Sequence, residues 1–406
     1  MPALSRKNIW EKTPRGVKSA LRGVLGRISP RILLGSRFRS QLAFANASQH
    51  WNREEIEAYQ LGELRRICSH AGTASPYYRD AFKAIGFSAD DLKSLDDIAR
   101  LPLIDKTTIR EHLDHMLTRP ADSAGVDYVS TGGSSGRPLG FYIGADRSDT
   151  EYAYLVASWQ RAGFQPETPQ ALFRGQVVES DATGLRHEYD PLLRRHAYSS
   201  FHMTDDEIRR SLEHVATIGD CFLHVYPSSI AALTRFLRRT GTTPPRNVRG
   251  ILAGSEIVYP HDRAAAEEAW VVRYFSWYGH SEKLVLAAEC EHSTDYHVWP
   301  TYGHLELIDD AGRPVTTPGE RGEIVGTGFI NTVTPFIRYR TGDYATYVGD
   351  ACPHCHRRHM ILRDIEGHRT QELLVAHDGT LISWTAVNMH DDTFDRVQQF
   401  QFRQTQ

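Results

Sequence analysis

The chain has 406 residues, 24% of them charged and 40% hydrophobic, with a formal net charge of −3. These values suit a soluble globular protein of two or three domains, or of one large domain with an appended lobe, and give no electrostatic drive toward nucleic acid. No apolar run approaches the roughly 20 residues of a membrane helix. The five cysteines, an odd number spread along the chain, argue against a secreted disulfide framework. A cytoplasmic address is expected.

The N-terminus departs from this average. Residues 1–40 carry ten Lys or Arg against one acid, Glu11. GVKSALRGVLGRI and PRILLGSRF interleave those charges with Leu, Val and Ile. Two readings fit: a basic amphipathic helix on an anionic membrane surface, or a basic arm packed on its own domain, which is preferred. The first alone implies peripheral membrane contact. No small-residue cleavage site follows a long apolar stretch, so no secretory signal is expected.

EEIEAYQLGELRRICSHAG spaces Ile56, Tyr59, Leu61, Leu64 and Ile67 near the helical period and predicts a helix ending at Gly72. Pro102 and Asp105 set up a second, over KTTIREHL. Strands are predicted at 128–130 and 139–143, on either side of STGGSSGRP. From 151 to 270 apolar segments alternate with helical ones. Thr204-Asp-Asp-Glu207 ahead of IRRSLEHV forms a capping box. CFLHVYP and RGILAGSE read as strands leading into helices, as in a parallel α/β layer. Beyond 300, HLELIDDAGRPV and GEIVGTGF read as antiparallel strands with Asp-Ala-Gly turn chemistry, so 300–365 is predicted to be a β-rich subdomain.

The Gly/Ser cluster between the two predicted strands is by itself as well explained by a plain hairpin loop. It is not a Walker loop, because Gly136 is followed by Arg137, Pro138 and a strand, where that motif has Gly-Lys-Ser/Thr opening a helix. Nor is it the dinucleotide fingerprint, whose third glycine packs a helix on a strand. Gly132, Gly133 and Gly136 still let backbone N–H groups converge as an anion nest, and Thr131, Ser134 and Ser135 add hydroxyl donors. Arg137 would balance charge on a departing pyrophosphate. Three further segments accompany it. YGHSEK (278–283) puts Glu282 beside an aromatic-glycine corner, YRTGD (339–343) puts Asp343 after a Thr-Gly turn, and HRTQELLVAHDG (368–379) supplies Arg369. Either carboxylate alone is equally an ordinary surface residue.

With these four motifs in this order and spacing, the chain resembles the adenylate-forming superfamily of acyl-CoA synthetases, peptide-synthetase adenylation domains and luciferases. Within it the chain is most similar to the phenylacetate–CoA ligase-like branch, particularly members associated with capsular polysaccharide biosynthesis. WNREEIEAYQ, SPYYRDAF, LPLIDKTTIR, VYPSSIAAL and AGSEIVYP support the resemblance. It implies an α/β fold: a large adenylate-forming domain of layered α/β sheets over 48–365 with a β-barrel-like subdomain, preceded by the arm at 1–47. An incomplete C-terminal lid would follow at 366–406.

It also implies the chemistry. Such enzymes attach AMP to a carboxylate and then pass the acyl group to a thiol, usually that of CoA, so both anions must be neutralised and held in line. By this resemblance Thr131–Gly136, with Arg137, hold the ATP phosphates, and Glu282 holds Mg²⁺. Asp343 accepts both ribose hydroxyls, a geometry that suits a carboxylate. Gly254, Ser255, Glu256, Tyr278, Gly279 and Ser281 surround the nucleotide. His280 lies where the acyl group meets phosphate, and Arg369 serves beside the hinge. For Tyr226 a packing role and an acyl-pocket wall are equal readings.

CEHSTDYH offers Cys290 with His292 or His297, and CPHC offers Cys352 and Cys355. A CxxC pair with a distant Cys/His pair is the usual shape of a structural zinc site; a free dithiol is the alternative. The branch resembled here carries such a site, and its spacing selects Cys290, His297, Cys352 and Cys355 as Zn²⁺ ligands, while His354, His356 and His359 crowd the same loop. Cys68 and Cys221 read as apolar filler.

Three features depart from the family pattern. Leu139 stands after Pro138 where a Lys is usual. His368, beside Gly367, stands at the hinge glycine, with Gln371 or Glu372 at the pivot. No lysine follows Lys283, so the lid lysine of the family is absent from this sequence, as in a truncated chain or one with a minimal lid. An ester- or amide-forming ligase without CoA, and a nucleotide-binding or scaffolding protein with little catalysis, are therefore the rival readings. The chain is expected to bind ATP–Mg²⁺ but to adenylate slowly. Rapid carboxylate-dependent pyrophosphate exchange by this polypeptide would contradict that expectation.

Overall fold

A computed structural model describes residues 25–131, 138–176, 178–181, 183–200 and 203–367, with the backbone of Leu373–Val375 and Leu381–Ser383. The start of the basic arm, Gly132–Arg137 of the glycine-serine loop, and His368, Arg369 and the Gln371/Glu372 pivot lie outside these residues. The chain divides into two units. One joins Ser40–Ala157 to Tyr278–His368, and the other is built on Ser158–Trp277 with part of the preceding arm.

In chain order, α1 (Gly35–Ser48) leads to α2 (Arg53–Ala74), whose start is fixed by Asn52. The Asn52 side chain accepts from the Glu55 N–H (2.9 Å) while the Glu55 carboxylate accepts from the Asn52 N–H (2.8 Å), satisfying two end donors reciprocally. Helix α2 buries Ile56, Leu64, Ile67, Cys68 and Ala71, with Tyr59 and Leu61 half-buried. It runs two residues past Gly72 because the block comes later: Pro76 holds Ser75 extended, and Ser75 in turn caps α3 (Pro76–Ala84). In α4 (Lys106–Met116) the Asp105 carboxylate accepts from the Thr108 N–H at 2.8 Å. Strands β1 (Val126–Ser130) and β2 (Gly140–Gly144) pair antiparallel, Val126 opposite Gly144, and α5 (Arg147–Gln160) follows.

The second unit is the parallel layer. It contains β3 (Gln170–Phe173), β4 (His187–Asp190), β5 (Arg195–Tyr198), α6 (Asp205–Val215), β6 (Cys221–Val225), α7 (Pro227–Thr240), β7 (Val248–Gly254), α8 (Pro260–Trp270) and the start of β8 (Tyr274–Gly279), whose last two residues, Tyr278 and Gly279, belong to the first unit. Strands β5, β3, β6, β7 and β8 run parallel in that order, with β4 antiparallel on the outside of β5. Strands β3 and β6 are buried at every position, as helix-covered parallel strands require. Thr204 opens α6, accepting from the Glu207 N–H at 3.4 Å. In the described part of the arm, Ser29 and Arg31 both bond the Glu167 carboxylate (2.8 and 3.0 Å).

The first unit then resumes with β9 (Leu286–Ala288), β10 (Tyr296–Val298), β11 (Gly303–Ile308), β12 (Arg321–Gly328), β13 (Tyr339–Gly349) and β14 (Ile361–Glu366). They pair antiparallel in the order β11-β12-β13-β14-β10-β9. Arg338, just before β13, fastens this sheet to the helical segment. Its guanidinium meets both oxygens of Glu306 (3.0 and 2.8 Å) and donates to the carbonyls of Ala99 (3.0 Å) and Leu101 (2.7 Å). The pair is only 6% and 13% exposed. Among the described residues no helix is long and apolar enough to cross a membrane.

Arg338→Ala strands Glu306 and two carbonyls in this buried place, and breaking such a pair costs about 3–5 kcal/mol. Denaturant unfolding of the variant is expected to show a loss of that size, whereas an unchanged midpoint would mean the pair contributes nothing.

Candidate active site

The YRTGD segment does not continue β13 as a regular strand. Glu323 pairs with Tyr344 and Val325 with Arg340, so Thr341, Gly342 and Asp343 together face Ile324. The Thr341 hydroxyl donates to the Ile324 carbonyl (2.7 Å) and accepts from the Asp343 N–H (3.0 Å). Gly342 has φ +75°, which favours glycine. This bulge re-aims Asp343, whose Oδ2 accepts from the Tyr278 hydroxyl at 2.7 Å.

Tyr278 and Gly279 close β8, and the chain then turns through His280, Ser281 and Glu282, with the Lys283 N–H donating to the His280 carbonyl (3.2 Å). The His280 Nε2 bonds the Tyr278 hydroxyl and lies 3.6 Å from Asp343. Since Tyr278 gives its one proton to Asp343, the ring donates to the hydroxyl through Nε2–H. Among the described residues its Nδ1 is buried without a hydrogen-bond partner. Glu282 is 6% exposed, and its side chain's recorded contact is the Tyr339 hydroxyl at 3.5 Å. Burial, and then the charges of Asp343 and Glu282, hold the Tyr278 phenol well above its ordinary pKa; Tyr339 is raised by burial and the same two carboxylates. Both therefore stay protonated donors. Tyr278, His280, Glu282, Tyr339 and Asp343 thus share one neighbourhood.

Of the glycine-serine loop, Thr131 is described, and it is buried. Its N–H donates to the Leu139 carbonyl (2.9 Å) and its hydroxyl accepts from the Leu139 N–H (3.1 Å), so the loop leaves from a closed hairpin base.

Within the second unit, Arg174, Tyr226 and Ser255 each follow the last residue of a parallel strand, β3, β6 and β7. This is the edge at which open α/β sheets bind ligands. Arg174 donates to Ser255 Oγ (2.7 Å) and to His224 Nε2 (2.7 Å), and lies 4.8 Å over the Tyr226 ring. His224 is fully buried; that burial and two arginines, Arg174 and Arg195, hold its pKa well below the ordinary value. Neutral, it accepts from Arg174 through Nε2 and donates through Nδ1–H to Gln170 Oε1 (3.0 Å). Glu256 accepts from the Ser228 N–H (2.9 Å) and hydroxyl (3.1 Å) and so caps the start of α7. Sequence reasoning passed over Arg174 and His224; the available signal was an arginine directly after the apolar run Ala171–Phe173.

The four cysteine and histidine residues of the expected zinc set come together. One ligand atom from each of Cys290, His297, Cys352 and Cys355 lies within 4.8 Å of the others, whereas His292, His354, His356 and His359 are not part of the group. His297 donates from Nδ1 to the Asp295 carbonyl (3.0 Å), which turns Nε2 toward Cys355 Sγ at 3.3 Å. The N–H groups of His292 and Ser293 point at Cys290 Sγ (3.4 and 3.3 Å). Burial disfavours the Cys355 thiolate, but hydrogen bonds from His297 and Arg357 outweigh it and lower that thiol to about 5. Cys68 and Cys221 are buried singly, and burial raises each to about 12.

No protein-family model matches the chain. The phenylacetate-coenzyme A ligase of Thermus thermophilus is 26% identical over 331 residues, covering 80% of this chain and 72% of that protein. The Aromatoleum evansii enzyme of the same name is 26% identical over 297 residues, of which the match takes in 72% of this chain and 66% of the relative. Protein CapK of Staphylococcus aureus is 22% identical over 273 residues, 66% of this chain and 58% of CapK. Among solved structures, 2-hydroxyisobutyryl-CoA ligase in its postadenylation state superposes with TM-score 0.63 at 23% identity, covering 83% of this chain and 74% of that one. The fold is therefore that of the adenylate-forming ligases. In sequence the chain is similar to phenylacetate-coenzyme A ligases, at 26% identity to the two enzymes described.

Proposed function

We propose that the protein activates a carboxylic acid as its acyl-adenylate at the expense of ATP and transfers the acyl group to CoA. The observation that carries this reading is the grouping of Tyr278, His280, Glu282 and Asp343 where β8 ends and β13 bulges, in a chain similar to phenylacetate-coenzyme A ligase over 331 residues.

In this reading Asp343, aimed by the Tyr278 hydroxyl, accepts the ribose hydroxyls. Glu282 fits a hard cation: it is a buried carboxylate that, among the described residues, has a long contact to the Tyr339 hydroxyl. It would hold Mg²⁺, which neutralises phosphate oxygens during attack. Thr131 and Gly132–Arg137 receive the phosphates, with Gly279 and Ser281 beside the nucleotide and Arg369 at the hinge. The His280 Nδ1, buried without a partner among the described residues, would face the reacting groups. For Ser255 and Glu256 we keep the adenine role that the family resemblance implies; Ser255 accepts from Arg174, and Glu256 caps the start of α7.

Cys290, His297, Cys352 and Cys355 fit Zn²⁺ in donor type, spacing and orientation of the imidazole. Four protein ligands close the coordination sphere, so the metal would brace β10 and the β13–β14 connection without activating water. The match to Protein CapK supports a place in surface-polysaccharide assembly. A cytoplasmic location follows from the need for ATP and CoA.

Acyl-sulfamoyl adenosines, stable mimics of the adenylate, test the site without relying on turnover. Across aromatic, aliphatic and sugar-acid mimics, at least one is expected to bind tenfold or more tighter than AMP, a gain of about 1.4 kcal/mol. Supplied with the matching synthetic acyl-adenylate, the protein is expected to form a thioester with CoA. No gain over AMP from any acyl group would overturn the reading, and transfer to an amine or hydroxyl in the absence of CoA would replace the acceptor.

A further inference from the structure

A second cluster of metal-capable side chains lies in the parallel unit, away from every residue given a role above. His187 on β4 and His196 on β5 are diagonal neighbours, since His187 pairs with Tyr198 and Tyr189 with His196. His214, in the last turn of α6, packs against both, its ring centroid 4.3 Å from that of His187 and 5.7 Å from that of His196. A ligand nitrogen from each ring lies within 4.8 Å of the others. We propose that His187, His196 and His214 form a second metal site, one for a divalent transition metal, that pins α6 to the β4–β5 ribbon.

The geometry suits the task. His187 Nε2 and His196 Nδ1 are 3.0 Å apart, close to the roughly 3.3 Å that two nitrogens span on a tetrahedral zinc with ordinary Zn–N bonds. In the metal-free state one of those nitrogens donates to the other. Coordination asks the donor ring to move its proton to its other nitrogen, freeing both lone pairs. His214 Nδ1 is held by the Tyr198 hydroxyl at 2.7 Å, a partner of the kind that orients a ligating imidazole. The ribbon and helix are already aligned by the Arg186–Glu207 ion pair (2.9 Å), so little ordering is left to the metal.

Charge is favourable too. His196 is neutral at ordinary pH, lowered to about 3 by burial and by the neighbouring His187 and His214. Asp181 adds a negative charge that couples electrostatically to His187 and His214. Three imidazoles without a thiolate select Zn²⁺, Co²⁺, Ni²⁺ or Cu²⁺ over Mg²⁺ and Ca²⁺.

Cobalt distinguishes this site from the cysteine cluster, because thiolate ligands give an intense sulfur-to-cobalt charge-transfer band and imidazoles do not. Titration of the metal-free full chain with Co²⁺ is expected to fill two kinds of site, one with that band and one without. His196→Gln and His214→Gln are each expected to remove the sulfur-free cobalt while the charge-transfer band persists, which also reports that the variants are folded. As a measure that needs no variant, Zn²⁺ should protect His187, His196 and His214 of the wild type from diethylpyrocarbonate at least tenfold. Absence of any sulfur-free cobalt together with unprotected histidines overturns the site.

Discussion

The hydrogen bond from the Tyr278 hydroxyl to Asp343 is the contact on which the rest of the candidate site depends. It joins the end of β8 to a bulge in β13 across 65 residues of sequence. A carboxylate drawn in beside two buried phenols is stable only if its charge is met by donors. The phenol supplies one, and the same charge keeps the phenol protonated. His280 is then oriented from the other side of the hydroxyl, and Glu282 follows two residues on, so one donor-acceptor pair sets the position of four side chains. The bulge is what allows it: Thr341 ties its own backbone to Ile324, and Gly342 takes the left-handed conformation that turns Asp343 out of the strand register.

Much of this was legible because its causes are local. The start of α4 is written in Asp105, that of α6 in Thr204, and the parallel layer in the largely apolar strands that run into α7 and α8. The end of α2 was misjudged by two residues because Gly72 tolerates a helix, whereas Pro76 dictates the conformation of Ser75. The CxxC pair announces itself, but the choice of Cys290 and His297 came from resemblance to a family. The closeness of Glu282 to Asp343 likewise came from motif order, since no period or propensity links two segments that far apart.

What escaped the sequence is what strand adjacency creates. Gln170, Arg174, His224 and Ser255 come from three strands that become neighbours only when β3, β6 and β7 align in register. The three-histidine cluster needs both the β4–β5 pairing and the docking of α6 against it. In each case the individual residues look ordinary: an arginine after a strand, or histidines nine and eighteen positions apart. The two metal-capable clusters also differ in donor chemistry. One offers three thiols and an imidazole, the other three imidazoles.

The most direct test of the account is calorimetric titration of AMP, and of ATP with and without Mg²⁺, into the wild type, Asp343→Ala and Glu282→Gln. If Asp343 grips the ribose, its loss weakens both nucleotides tenfold or more, about 1.4 kcal/mol. If Glu282 holds the cation, its variant keeps AMP affinity and loses only the gain that Mg²⁺ confers on ATP. Undiminished binding of both nucleotides by Asp343→Ala would contradict the account at its centre.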